Sequence, residues 1–96
     1  MERSLEQFIV RTLRVLQAYG VPRAGLYGSW VRGEQSDSSD IDIVVERPGS
    51  FSLYDLIRLQ QALSDALGIE AHVTTYGSLH PKLKAKILSE ELRILG

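Results

Sequence analysis

Residues 28–46 read GSWVRGEQSDSSDIDIVVE, and the expected architecture of the chain follows from this stretch. Its second half, Asp40–Glu46, begins as an alternation of acidic and apolar residues and then becomes apolar, which predicts a β-strand. Side chains two residues apart in a strand lie on one face, about 7 Å from each other along the strand. Asp40 and Asp42 therefore share a face, where two like charges cost energy unless a positive group lies between them.

The composition is that of a small globular protein. The chain has 96 residues, of which 44% are hydrophobic and 24% charged, a formal net charge of −1 and no cysteine. This length allows one small core, so we expect a single domain over residues 1–96. The charge argues against direct nucleic-acid binding, and the lack of cysteine excludes disulfides. No apolar run reaches the roughly 20 residues of a membrane span and the charged N-terminus is no signal peptide, so we expect a cytoplasmic protein.

The first part of the chain predicts a helix, a short strand and a turn. The helix is indicated by apolar residues at helical spacing, with Ser4 as its N-cap and Gly20 and Pro22 as its stop signal. These apolar residues are Leu5, Phe8, Ile9, Leu13 and Leu16. Residues 23–27 then predict a strand, residues 29–33 allow no more than a turn or two of helix, and the polar residues 34–39 predict a loop.

After the Asp40–Glu46 strand, the sequence predicts a helix, a third strand and a last helix. Ser52 and Asp55 form a capping-box pattern that begins the first of these helices, and Gly68 ends it. Residues 69–75 predict the strand, and Pro81 after His80 begins the last helix. The expected apolar stripes are Leu53, Leu56, Ile57, Leu63 and Leu67 in one helix, and Leu83, Ile87, Leu88, Leu92 and Leu95 in the other.

These elements predict an α/β (α+β) fold with helices packed on a small mixed sheet of three strands. The first two strands are joined by about a dozen residues with little helix, which favours antiparallel pairing. The second and third are joined through a full helix, which favours a right-handed parallel crossover. Both pairings bring the end of the first strand and the starts of the other two to one edge of the sheet. The residues expected at that edge are Gly28, Ser29, Asp40, Asp42, Glu70 and His72.

This edge combines groups that suit phosphate and metal binding. Two carboxylates spaced like Asp40 and Asp42 can share divalent cations, and magnesium typically takes one or two carboxylates plus substrate phosphates. Gly28 lets a backbone approach a ligand closely, and Ser29 can present its N–H and hydroxyl to a phosphate. Arg32, one turn later, can neutralise phosphate charge. The combination indicates phosphoryl or nucleotidyl transfer.

The residues that carry this pattern also match a family. Gly28-Ser29, ten residues and then Asp40-Ile41-Asp42 form the GSx10DxD signature of the DNA polymerase β-like nucleotidyltransferases. The chain resembles the minimal nucleotidyltransferases (MNT proteins) of that superfamily in size and in element order. Arg32-Gly33 and the C-terminal stretch HPKLKAKILSEELRIL fit as well, so the resemblance spans nearly the whole chain. It implies the nucleotidyltransferase fold.

The resemblance also implies roles for the residues at the edge. Asp40 and Asp42 would bind two magnesium ions that hold a nucleoside triphosphate, and Gly28, Ser29 and Arg32 would form its binding site. An acceptor hydroxyl would attack the α-phosphate and release pyrophosphate. Family members are commonly antitoxins encoded with a HEPN-domain ribonuclease toxin, and some add AMP from ATP to a tyrosine of that toxin. The implied function is therefore an ATP- and magnesium-dependent protein adenylyltransferase that associates with a HEPN toxin.

One departure concerns the family's third carboxylate, which helps to hold a metal and to activate the attacking hydroxyl. The matching stretch here, residues 67–75, reads LGIEAHVTT and places His72 at that position, with Glu70 two residues earlier on the same strand face. Either Glu70 or His72 takes the catalytic role, or catalysis is weakened or lost. The alternative is then an antitoxin that neutralises its HEPN partner by binding alone. A nucleotidyltransferase of small molecules is a third hypothesis, which the short chain disfavours.

Overall fold

The computed structural model describes residues 5–34 and 40–96, and its elements follow the expected order except at the C-terminus. The helices are α1 (Leu5–Ala18), α2 (Ser29–Arg32), α3 (Leu53–Leu67) and α4 (Pro81–Glu90). The strands are β1 (Ala24–Tyr27), β2 (Ile41–Val45), β3 (Ala71–Thr75) and β4 (Leu92–Leu95), and a 3₁₀ turn, Tyr76–Ser78, precedes α4. The expected Ser4 cap and most of the expected 34–39 loop lie outside the described residues.

The sheet has four strands in the order β3-β2-β1-β4, so the expectation of three strands was wrong. The antiparallel pairing of β1 with β2 and the parallel pairing of β2 with β3 are confirmed. The additional strand, β4, pairs antiparallel with β1. Leu88, Leu92 and Leu95 fit helical spacing, but the backbone is already extended at Glu91. Pairing with β4 satisfies the backbone groups that β1 would otherwise expose as an edge strand.

The sheet separates two apolar layers because successive strand side chains point to opposite faces. Ile41, Ile43 and Val45 of β2 pack with α1 and α3 in the main core. Val44 faces the other way and packs with Tyr76 and with Ile87 of α4. Helices α1 and α3, together with Trp30 of α2, therefore cover one face, and α4 covers part of the other. Positions 40 and 42 have the parity of position 44 and belong to the α4 face.

The predicted apolar stripes hold for α1 but only in part for α3. In α1, Phe8 and Leu16 are buried and the other predicted residues are partly buried. In α3, however, Leu53 and Ile57 are 71% and 57% exposed, and the buried residues are Leu59, Leu63 and Leu67. Neighbouring helix positions lie about 100° apart around the axis. Ile57 therefore turns away from the sheet while Leu56 packs against it.

The stripe predicted for the last helix was largely wrong. Ile87 is the buried residue of α4, whereas Leu83 and Leu88 are 49% and 39% exposed. Leu92 and Leu95 belong to β4, because the helix has ended at Glu90. None of the helices in residues 5–34 and 40–96 is long and apolar enough to span a membrane.

Side-chain hydrogen bonds fix α3 and hold β3 against it. The predicted capping box is present, since the Asp55 N–H donates to Ser52 Oγ and the Ser52 N–H donates to the Asp55 carboxylate. Further along α3, Ser64 Oγ accepts from the Ala71 N–H at 3.0 Å, and Gln60 Oε1 accepts from the Val73 N–H at 2.9 Å. These bonds cap backbone donors on the outer edge of β3. They also fix the register of the strand that carries His72.

A matched pair of glycine substitutions tests the packing of the C-terminus on β1. A Cβ at Gly25 would lie 2.1 Å from Glu91 Oε2, and the Glu91 side chain is only 4% exposed. We expect Gly25→Ala to lower the free energy of unfolding by about 1–3 kcal/mol through overpacking. Gly49→Ala is the control, because nothing lies within 4 Å of a Cβ there. Denaturant unfolding that shows equal stability for the two variants would contradict this packing.

Candidate active site

The end of β1 brings the Gly-Ser pair directly against β2. Tyr27 is paired with Asp42 in the strand register, and Gly28 follows with φ 82° and ψ −156°. Essentially only glycine adopts this backbone conformation. A Cβ at Gly28 would lie 2.4 Å from Asp42 Oδ2, so the lack of a side chain also makes room for the carboxylate. Two independent constraints, backbone angle and space, therefore require glycine at this position.

The short helix α2 begins at once and directs Arg32 to the same edge. The N–H groups of Val31 and Arg32 both donate to the Gly28 carbonyl at 3.1 Å. Trp30 is buried, and its ring meets that of Phe8 edge-on with 4.7 Å between centroids, which packs α2 onto the core. Arg32 remains half-exposed, and its guanidinium donates to Glu34 from Nε at 2.9 Å and to Glu90 from Nη1 at 3.2 Å.

Asp40, just before β2, and Asp42 within it lie beside the start of β3, as expected from the topology. Asp42 is in register with His72, and the Ile41 N–H donates to the Glu70 carbonyl at 3.0 Å. The Asp40 Oδ2 atom lies 2.8 Å from His72 Nε2. One oxygen or nitrogen atom from each of Asp40, Glu70 and His72 lies within 4.8 Å of the other two. These three side chains form the cluster that we call the edge cluster.

Burial and neighbouring groups shift the pKa values of two residues at this edge. Burial raises the pKa of Asp42, and the nearby Asp40 carboxylate raises it further, whereas His72 and Arg32 act in the opposite direction. The pKa of His72 is raised, chiefly by its hydrogen bond to Asp40. The carboxylates of Asp40 and Asp42 therefore repel each other at this edge. A bound cation would lower this repulsion.

The residues present fit a divalent cation. Carboxylate oxygens are ligands for magnesium and manganese, and an imidazole nitrogen is a further metal ligand. In the edge cluster these donors already lie close enough to share one ion. Asp42 is not a member of that cluster within the described residues, and its Oδ2 would lie 2.4 Å from a Cβ at Gly28. The predicted metal roles of Asp40 and Asp42 stay predictions, and Asp40 would have to share or release His72 to serve as a ligand.

One residue of the site could not be found from the sequence. Glu90, the last residue of α4, accepts a hydrogen bond from the Gly28 N–H at 3.1 Å as well as from Arg32. It lies 62 residues from Gly28 and carries no local motif, so its sequence position suggests only a solvated helix end.

Of the aromatic residues near the Gly-Ser pair, Trp30 and Tyr76 are buried core residues.

A mixed sheet with a Gly-Ser turn held against an Asp-x-Asp strand is the arrangement of a nucleotidyltransferase domain. The nucleotidyltransferase domain family matches residues 9–95, and the chain belongs to this family. A Methanocaldococcus jannaschii protein, provisionally named a protein adenylyltransferase, is 46% identical over 88% of this chain and 91% of its own length. Protein adenylyltransferase MntA of Thermococcus cleftensis is 34% identical over 77% of this chain and 75% of its own.

Solved structures share the fold. One that is provisionally described as a minimal nucleotidyltransferase matches with a TM-score of 0.82 and 30% identity, covering 95% of this chain and 96% of that one. A toxin–antitoxin crystal structure with AMP-PNP matches with a TM-score of 0.82 at 22% identity, over 92% of this chain and 73% of that one. The expected fold, family and enzyme class, a nucleotidyltransferase, are thus confirmed.

Substitution of Gly28 tests the contact between the Gly-Ser turn and Asp42. We expect Gly28→Ala to cost about 2 kcal/mol or more of unfolding free energy, because it adds backbone strain and a clash with a carboxylate. Gly77→Ala is the control, since its Cβ would meet nothing within 4 Å. Thermal or denaturant unfolding measures both. A Gly28→Ala protein as stable as the control would contradict the described geometry.

The Asp40–His72 hydrogen bond predicts a pH dependence of the metal-free protein. Because the folded state raises the pKa of His72 above its ordinary value of 6.5, the pair stabilises the fold fully below that value. The contribution is lost as the pH rises through the raised pKa. NMR titration of the His72 ring should show the raised pKa, and Asp40→Asn should move it back towards 6.5 while leaving the His80 ring signals in place. An unchanged His72 titration in Asp40→Asn would refute the pair.

Proposed function

We propose that this chain transfers AMP from ATP to a tyrosine hydroxyl of a HEPN-domain toxin and acts as the antitoxin of that toxin. The observation that carries the proposal is the close approach of Gly28 to Asp42 beside the edge cluster. Further support comes from the names of the relatives, which are protein adenylyltransferases. The fold is also that of a toxin–antitoxin structure with AMP-PNP. The reaction would take place in the cytoplasm, where ATP and such a toxin meet.

In this proposal the Gly-Ser turn and Arg32 bind the triphosphate. Gly28 lets the phosphates approach the backbone, and Ser29 offers its N–H and hydroxyl at the start of α2. The half-exposed Arg32 guanidinium offers a planar set of donors to phosphate oxygens. Asp40 and Asp42 would hold magnesium, which when bound neutralises phosphate charge in the transition state.

The transfer itself requires a group that takes a proton from the acceptor. The tyrosine oxygen forms a bond to the α-phosphorus, the bond from that phosphorus to the bridging oxygen breaks, and pyrophosphate leaves. We assign the proton acceptor to His72, because it lies in register with Asp42 and contacts Asp40. Glu70, in the same cluster, is the second candidate. Loss of such a general base typically costs about 10²–10⁴-fold in rate.

A second candidate function is neutralisation of the toxin by binding alone. The observation that favours it is the 2.8 Å hydrogen bond between Asp40 and His72, which occupies a carboxylate that a metal ion would need. In this case the nucleotidyltransferase fold would serve as a binding surface, and the acidic residues would not affect toxin control.

Mass spectrometry of the partner separates the two candidates. The protein is incubated with the product of its neighbouring gene, ATP and magnesium, and that product is then weighed. We expect a mass increase of one or more AMP units, and we expect the double variant Asp40→Asn, Asp42→Asn to abolish it. EDTA added to the wild-type reaction should have the same effect, because the site needs a cation.

The same double variant is then tested for neutralisation of the toxin in cells. The enzymatic proposal expects neutralisation to be lost although the variant still binds the toxin. Intact neutralisation by a variant that transfers no AMP would favour the binding candidate. Gly49→Ala, which lies away from the edge, serves as the control for expression and folding.

A further inference from the structure

The end of α4 contributes a carboxylate to the proposed phosphate site. Glu90 Oε1 accepts from the Gly28 backbone N–H at 3.1 Å and from Arg32 Nη1 at 3.2 Å. One carboxylate oxygen therefore bridges the glycine of the Gly-Ser turn and the arginine three residues after Ser29. The Glu90 side chain is 21% exposed, which makes it the more enclosed partner of the ion pair with Arg32. Hydrogen bonds to a charged acceptor in such a setting are stronger than neutral ones.

Glu91, the next residue along the chain, holds the backbone at Glu90 in place. Glu91 is 4% exposed at its side chain, accepts a hydrogen bond from the Tyr76 hydroxyl and contacts Arg93 Nε at 3.3 Å. It occupies the space left above Gly25, where a Cβ would lie 2.1 Å from its carboxylate. The backbone at this point changes from helix to strand. A buried and bonded Glu91 thus fixes the peptide from which Glu90 reaches Gly28.

Glu90 leaves the arginine able to bind phosphate. A guanidinium has five N–H donors. The contacts to Glu34 and Glu90 engage the Nε and Nη1 atoms, and Nη2 has no partner within residues 5–34 and 40–96. By contrast, the single N–H of Gly28 is already engaged by Glu90. The donors at this turn therefore divide into one that supports the structure and others that can face a ligand.

We propose that Glu90 is a positioning residue for the triphosphate. Its carboxylate ties the Gly28 N–H and the Arg32 guanidinium together, so that both are held in place before a nucleotide binds. The nucleotide-binding site then extends to the C-terminal end of α4, and Gly28 acts through its missing side chain rather than as a phosphate donor. This inference rests on the proposed function, since it names a residue that prepares the same site. The opposing possibility is that Glu90 competes with phosphate for these donors.

Calorimetric titration with magnesium and AMP-PNP, and separately with magnesium and inorganic triphosphate, tests the assignment. We expect Glu90→Ala to weaken binding of both probes about 10-fold or more, because two charge-assisted hydrogen bonds are lost. Glu90→Gln keeps an acceptor oxygen of the same reach and should bind within about 3-fold of wild type. Glu34→Ala is the matched control, since it removes a carboxylate from Arg32 without touching Gly28. It should bind as wild type does.

Thermal unfolding and the ¹⁵N–¹H signal of Gly28 accompany each titration. If Glu90 has a merely structural role, binding should weaken only as far as the variant loses stability. The proposal instead predicts that Glu90→Ala stays folded, binds the probes weakly and shows a shifted Gly28 signal. If that variant does not fold, Glu90→Gln decides the question, because competition with phosphate predicts binding tighter than wild type. Tighter or unchanged binding by Glu90→Ala overturns the inference, as does a wild type that binds neither probe.

The two proposals fail in different ways. If triphosphate binding depends on Glu90 but no AMP reaches the toxin, the positioning role stands and the proposed function fails. If AMP reaches the toxin while Glu90→Ala binds AMP-PNP as wild type does, the proposed function stands and the positioning role fails.

Discussion

The contact between the Gly28 backbone and the Asp42 carboxylate is the feature on which the site depends. It requires β1 and β2 to pair in one register, with Tyr27 opposite Asp42, and it requires a backbone conformation that essentially only glycine adopts. A shift of the register by one residue would turn Asp42 into the core and Ile43 to the surface. The core therefore enforces the site, because burial of Ile41 and Ile43 holds both aspartate positions on the opposite face.

The fold also assembles the site from segments that are far apart in the sequence. Asp40 lies just before β2, His72 lies on β3, Gly28 lies in the turn after β1, and Glu90 lies at the end of α4. The buried Glu91 links this junction to β1 through the space over Gly25. The fourth strand thus has a role beyond completing the sheet, since it fixes the segment that reaches the Gly-Ser turn.

Local signals in the sequence predicted most of the fold. The alternation in DIDIVV, the capping box of Ser52 and Asp55, and Gly68 after α3 each act through neighbouring residues, and each appears in the structure as expected. The secondary-structure and burial predictions failed where contacts between residues distant in sequence decide the structure. Leu92 and Leu95 suit a helix by spacing, but they pair with β1, a strand more than 60 residues earlier. Ile57 is apolar and helical, yet it faces away from the sheet.

The residues of the candidate site also divide into those that local sequence signals predicted and those that only the tertiary structure brought together. Residues 28–42 contain the spacing of glycine, serine and two aspartates that indicates the enzyme family, because that spacing is set by one turn and one strand. The proximity of His72 to Asp40 could be expected from parallel pairing, although their 2.8 Å contact depends on packing. Glu90 could not be expected at all, since no local signal in the sequence places the end of α4 beside the Gly-Ser turn. Contacts across 62 residues are decided by how the layers pack, and only the tertiary structure placed this carboxylate beside the Gly-Ser turn.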